Sequence, residues 1–206
     1  MRNIQILILF LFSIGISAQN IPEINSDLKL SDSLTNITEV RIYKIADTTN
    51  YSSLYRMFKD ESKKWNIEFY KHYAKIKGKS KLRTEKLILT AKNNMDSIYR
   101  SLVRSYILEL PNQSDIEWKM IRRGTIEKID RFRNGKEVIT YELFNRSIHY
   151  TEGVNYKIQA KDWNGKNEFE YSNPDKYLNY YPDIDELNYI CEILNTIRNE
   201  FGIWKK

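Results

Sequence analysis

Two Asn-Gly dipeptides place the tightest constraint on what this chain folds into. Asn134-Gly135 and Asn164-Gly165 each stand between runs in which apolar and polar residues alternate. Alternation with a period of two marks a strand with one buried face. Asn-Gly readily takes the positive φ angles that tight hairpin turns demand. Ile116, Trp118 and Met120 alternate before the first dipeptide, Ile139, Tyr141 and Leu143 after it, and Val154, Tyr156, Ile158 and Ala160 before the second. The spacing predicts an antiparallel meander of about four or five strands across residues 115–171.

On the amino-terminal side, Ile37, Tyr43 and Ile45 fall on one side of an extended segment and Val40 and Ile42 on the other, which predicts a strand. Leu54, Phe58, Trp65, Phe69, Tyr73 and Ile76 then recur at helical spacing, as do Leu87, Ala91, Met95, Ile98, Leu102, Tyr106 and Leu110. Ser52 or Ser53 offers a cap for the first run, Gly78 a break, and Pro111 a stop for the second. These stripes predict a long antiparallel helical hairpin. A last helix is expected from Asp183, with Glu186 completing a capping box and Leu187, Ile190, Leu194, Ile197, Phe201 and Trp204 forming its apolar stripe. Six large side chains on one stripe require a partner surface, most simply one face of the meander. The expected fold class is α+β: the helical hairpin, the four- to five-stranded meander, and the carboxy-terminal helix docked on the sheet.

The first residues read differently. Arg2 precedes an apolar run from Ile4 to Ile16, and Ser17-Ala18-Gln19 follows it. The run is too short for a comfortable membrane span, which needs about 20 apolar residues. It fits a secretory signal peptide over 1–18, although Ile16 is bulkier than the usual residue three places before the cut. Residues 19–36 read as a polar tether and 37–206 as one α+β domain. The expected location is outside the cytosol, periplasmic or secreted. Cys191 is the one cysteine, so stability must come from packing rather than from disulfides. With only His72 and His149 beside it, no structural zinc site is expected, and no cofactor motif occurs.

Charge is concentrated. The chain carries +6 overall, and Tyr55 to Arg104 holds fourteen Lys/Arg against five Asp/Glu, a net of +9. Lys71, Lys75, Lys77, Lys79, Lys81, Arg83 and Lys86 form the densest stretch, placed by the helical reading at the hairpin tip. One reading is an anion-binding footprint for phospholipid headgroups, acidic polysaccharide or an acidic envelope protein. The other is a solubilising face of lysines. Export sets nucleic acid aside as a partner.

A second segment, Tyr171 to Pro182, gathers aromatic rings beside amide and carboxylate groups. Tyr171, Asn173, Asp175, Tyr177, Tyr180 and Tyr181 have the makings of a sugar or peptide site, or of a stiff connection packed over the sheet edge. Catalytic sets are scarce. Glu68 and His72 read as an exposed helical pair, Cys191 as a buried thiol, and His149 as a lone group in the meander. The reading that follows is an exported envelope protein with a non-enzymatic binding role, against a rival hydrolase whose site would need His149 or carboxylates near the tyrosines to converge.

Overall fold

The computed structural model describes residues 20–205. The signal peptide expected over 1–18 therefore lies outside the described residues. In chain order the elements are α1 (Ile21–Leu28), β1 (Glu39–Ala46), β2 (Tyr51–Lys59), β3 (Trp65–Tyr73), β4 (Arg83–Ile88), α2 (Met95–Arg104), α3 (Gln113–Ile116), a 3-10 turn (Glu117–Met120), β5 (Ile126–Arg133), β6 (Lys136–Leu143), β7 (Val154–Lys161), β8 (Lys166–Ser172), α4 (Pro174–Tyr180) and α5 (Asp185–Phe201). Six strands form one antiparallel sheet in the order β4-β3-β2-β1-β7-β8, and β5-β6 form a separate two-stranded ribbon.

This overturns the helical hairpin. The first expected helix is instead the two strands β2 and β3 with the turn between them, and only Met95–Arg104 of the second expected helix is helical. In β3 the side chains do alternate. Trp65, Ile67 and Phe69 face one side, and Asn66, Glu68, Tyr70 and His72 face the other. In β2 the alternation is lost because Ser52, Ser53, Leu54 and Tyr55 are all buried. A sheet covered on both faces takes apolar residues on both, so its strands lose the period of two that distinguishes them from helices. The chain reverses between β2 and β3 through residues 60–64, where Asp60 accepts the backbone N–H of Lys64 and Lys63 takes a φ of 60°. Asn94, accepting from the N–H groups of Asp96 and Ser97, is what starts α2.

The meander is also corrected. Residues 113–120 are short helical turns, not a strand. Asn134 and Gly135 do close a two-residue hairpin, with φ of 53° and 74°. The β7–β8 loop is longer, residues 162–165, held by Asp162 accepting from the N–H groups of Asn164 and Gly165. These two hairpins do not share a sheet, because β7 pairs with β1 instead of β6.

One sheet face, carrying Val40, Ile42, Tyr55, Met57, Phe69, Tyr156, Ile158, Ala160, Phe169 and Tyr171, packs under α2 and α5. Leu187, Ile190, Ile193, Leu194 and Ile197 of α5 are completely buried there. The capping box expected for this helix does not form, since its N-cap is Ile184 and makes no side-chain cap. The opposite face is covered by residues that had read as tether. Helix α1 lays Ile24 onto Tyr43, Leu54 and Tyr70, and its Asn25 accepts from the Tyr43 hydroxyl at 2.8 Å. Beside it, residues 31–36 wrap over a buried ionic cluster. Glu39 accepts from Arg41 and from Arg56, each at 2.8 Å, and from the backbone N–H groups of Thr35 and Asn36.

Candidate functional site

The basic stretch lies on a strand hairpin instead of a helical tip. Lys71 is on β3, Arg83 and Lys86 on β4, and Lys75, Lys77, Lys79 and Lys81 on the loop between them. Asn50 holds that loop by donating to the Ala74 carbonyl at 2.8 Å, and Ile76 and Ser80 exchange backbone hydrogen bonds across it. The turn inside needs the positive φ of Gly78, 75°.

Counter-ions divide the seven cations into two groups. Lys71 and Arg83 both pair with Glu85, at 3.2 Å each, and Lys86 pairs with Glu68 at 2.6 Å. Glu85 is held below the usual carboxylate range by its bonds to Lys71 and Arg83. Lys75, Lys77, Lys79 and Lys81 are all exposed and have no ion-pair partner among the described residues. Ile76 and Leu82 are exposed among them. What results is a short protruding loop with a local charge of +4 and two apolar side chains.

The tyrosine segment has a different character. Tyr171, Tyr177 and Tyr181 are buried, as is Asn173, which accepts from the Val154 N–H. The Tyr181 and Tyr177 hydroxyls accept the backbone N–H groups of Ile148 and Tyr150. Arg122 donates to the Tyr180 carbonyl and lies over the Tyr180 and Tyr181 rings, at 4.8 and 5.3 Å from their centroids. Asp175 makes a two-pronged pair with Arg198, at 3.0 and 2.7 Å. The rings thus clamp the base of the β5–β6 ribbon, and only Tyr180 keeps much exposure.

Comparison with protein-family models, curated proteins and solved structures returns no match. Function must therefore be read from the geometry alone.

One constellation has the composition of a catalytic triad. His72 Nδ1 lies 3.0 Å from Ser52 Oγ, and its Nε2 lies 2.8 Å from Asp27 Oδ2. Sequence reasoning missed it because its members lie on α1, β2 and β3 and meet only through the α1 dock. A nucleophile must reach its substrate, yet Ser52 and His72 are 0% and 1% exposed. What the relay does is fasten α1 to the sheet. His149 hydrogen-bonds to Ser147 on an exposed connection, with its own side chain exposed although its neighbours Ile148 and Tyr150 bond to the Tyr181 and Tyr177 hydroxyls. Glu68 and His72, four apart on a strand, bond to different partners. Cys191 is buried on α5.

A shallow depression of about 360 Å³ is lined by Lys92, Asn195, Arg198, Asn199, Gly202 and Lys205. Its central guanidinium is already engaged by Asp175 and the Tyr156 hydroxyl, and Lys92 donates to the Asn199 carbonyl. No group of His, Cys, Asp and Glu with the makings of a metal site occurs among the described residues. None of the described helices is long and apolar enough to cross a membrane.

Proposed function

We propose that this chain is an exported, non-enzymatic binding protein that docks onto an anionic surface through the β3–β4 loop. The observation that carries this reading is the set Lys75, Lys77, Lys79 and Lys81, exposed on one loop without counter-ions among the described residues, with Ile76 and Leu82 exposed beside them. Ammonium groups are compact point charges, better suited to a diffuse anionic surface than to one oriented phosphate. Two apolar side chains beside them suit a headgroup layer, which accepts both. Each lysine near an anionic membrane contributes about 1 kcal/mol.

Co-sedimentation with vesicles containing phosphatidylglycerol tests the reading. Replacing all four lysines with glutamine is expected to weaken binding by roughly a hundredfold or more at low salt, and added salt to weaken the parent chain similarly. Equal retention of parent and variant would rule the reading out. Retention on an acidic polysaccharide column but not on vesicles would assign the same charge to a glycan. The export part is tested separately by amino-terminal sequencing of the protein from its native host, where a chain beginning at Gln19 is expected. Soluble intracellular protein retaining Met1 would overturn it.

A further inference from the structure

The β5–β6 ribbon leaves the body of the protein with both long edges unpaired among the described residues. One face carries Ile126, Phe132, Ile139, Tyr141 and Leu143, exposed by 71, 80, 51, 70 and 55%. An isolated two-stranded ribbon is marginal in water, and an open edge strand is a template for another strand. The base of this ribbon, by contrast, is anchored. Arg122 and Arg146 exchange backbone hydrogen bonds, and Arg122 reaches the Tyr180 carbonyl. The structure thus holds an apolar strand pair out from the body.

We infer that β5 pairs antiparallel with β5 of a second copy, about a two-fold axis through Ile129. The argument is charge and hydrogen-bond register. A two-residue turn makes Arg133 and Lys136 the first hydrogen-bonded pair, so inward-pointing backbone groups alternate back from there. Ile129 points inward, and its carbonyl also accepts from the Thr140 hydroxyl. Ile126, Lys128, Asp130 and Phe132 therefore direct their N–H and C=O groups to the open edge.

In a symmetric pairing these outward residues must meet one another. With Ile129 opposite Ile129, Lys128 meets Asp130 and Ile126 meets Phe132, while Glu127 meets Arg131. Every charge on the strand from Ile126 to Phe132 then faces its opposite. Sliding one step either way that keeps outward groups opposed sets Lys128 against Lys128 or Asp130 against Asp130, and like charges directly opposed are destabilising. One register survives. It also relieves a conflict inside the ribbon, where Glu127 stands opposite Glu142 and Arg131 is engaged with Glu142 alone. The two most exposed apolar side chains of β5, Ile126 and Phe132, become cross-strand neighbours. No register of β6 against itself pairs more than Lys136 with Glu142, so β5 is the specific edge. Dimerisation through β5 is independent of the basic loop.

The test is sedimentation equilibrium of the mature chain with a charge swap. The parent chain is expected to dimerise at micromolar to tens of micromolar concentration. Lys128→Asp, which sets one carboxylate against another twice per dimer, should weaken association by about tenfold or more. The double variant Lys128→Asp with Asp130→Lys restores opposite charges and should recover the dimer. A separate variant, Ile129→Cys, should form a symmetric disulfide under mild oxidation, because a non-hydrogen-bonded antiparallel pair brings the α-carbons to about 4.5 Å. Buried Cys191 does not compete. Unchanged circular dichroism and thermal midpoint would show that each variant is folded, as expected for changes outside the main core. A monomeric parent chain at about 100 μM, equal association of parent and Lys128→Asp, or a dimer that Ile129→Cys fails to cross-link would each overturn the inference.

Discussion

Glu39 lies between two guanidinium groups with no exposure of its own. Burial alone would raise its pKa. The hydrogen bond from Arg56, those from Asn36 and the charge of Arg41 overcome that and hold it at about 2. A carboxyl depressed in the fold contributes stability that is complete above its unfolded pKa and is lost as pH falls through the folded value. The window here is pH 4.5 down to about 2, and the loss across it is on the order of 3 kcal/mol. Urea denaturation at pH 2.5, 3.5 and 5 is expected to show this slope flattened in Glu39→Gln. That variant should also be less stable at pH 5 by about 3–5 kcal/mol, because Arg41 is left buried without its anion, while Arg56 keeps Glu68 at 3.0 Å. Tyr55 makes the opposite case. Its hydroxyl is buried with no hydrogen-bond partner among the described residues, and burial raises its pKa well above the usual tyrosine value. Removing a desolvated, unpaired hydroxyl stabilises, so Tyr55→Phe should raise the unfolding free energy by up to about 1 kcal/mol. A lower urea midpoint in that variant would show that the hydroxyl has a partner.

Among the elements, α1 departs furthest from its sequence reading. Ile21, Ile24 and Leu28 have the spacing of one helix face, and Pro22 suits a first turn. Three apolar residues in a polar stretch are still a weak signal. What makes the helix hold is the sheet face beneath it, with Tyr43, Leu54 and Tyr70, and the His72–Asp27 contact. Ile24→Ala should therefore cost about 2–4 kcal/mol, as for a fully buried core residue. An effect under about 0.5 kcal/mol in denaturant, the size expected of a surface change, would show that the segment is only loosely associated. In β2 burial on both faces removed the period of two and left a stripe that reads as helical. Phe58, Trp65, Phe69 and Tyr73 are four or seven apart by coincidence of two strands and a turn. The turn chemistry of Asn134-Gly135 was legible, since its positive φ angles are a property of the dipeptide itself. The separation of its strands from β7 was not, because strand partners are chosen by long-range contacts.

For the whole molecule, the division between what the chain announces and what the fold decides follows the range of the interactions. Local chemistry was readable from residue order: the Asn-Gly turn, the apolar stripe of α5, the β1 strand, and the run of lysines from 71 to 86. Each depends on neighbours within a few positions. The sequence could not say that the run of lysines sits on a strand loop, that three of its cations pair with Glu68 or Glu85, or that four have no such partner among the described residues. Nor could it say that Tyr171, Tyr177 and Tyr181 are spent on packing while Phe132 and Tyr141 stand in solvent. Composition treats a buried tyrosine and an exposed one alike. Burial is set by which surfaces meet across the sheet, and that choice belongs to contacts between residues distant in the chain.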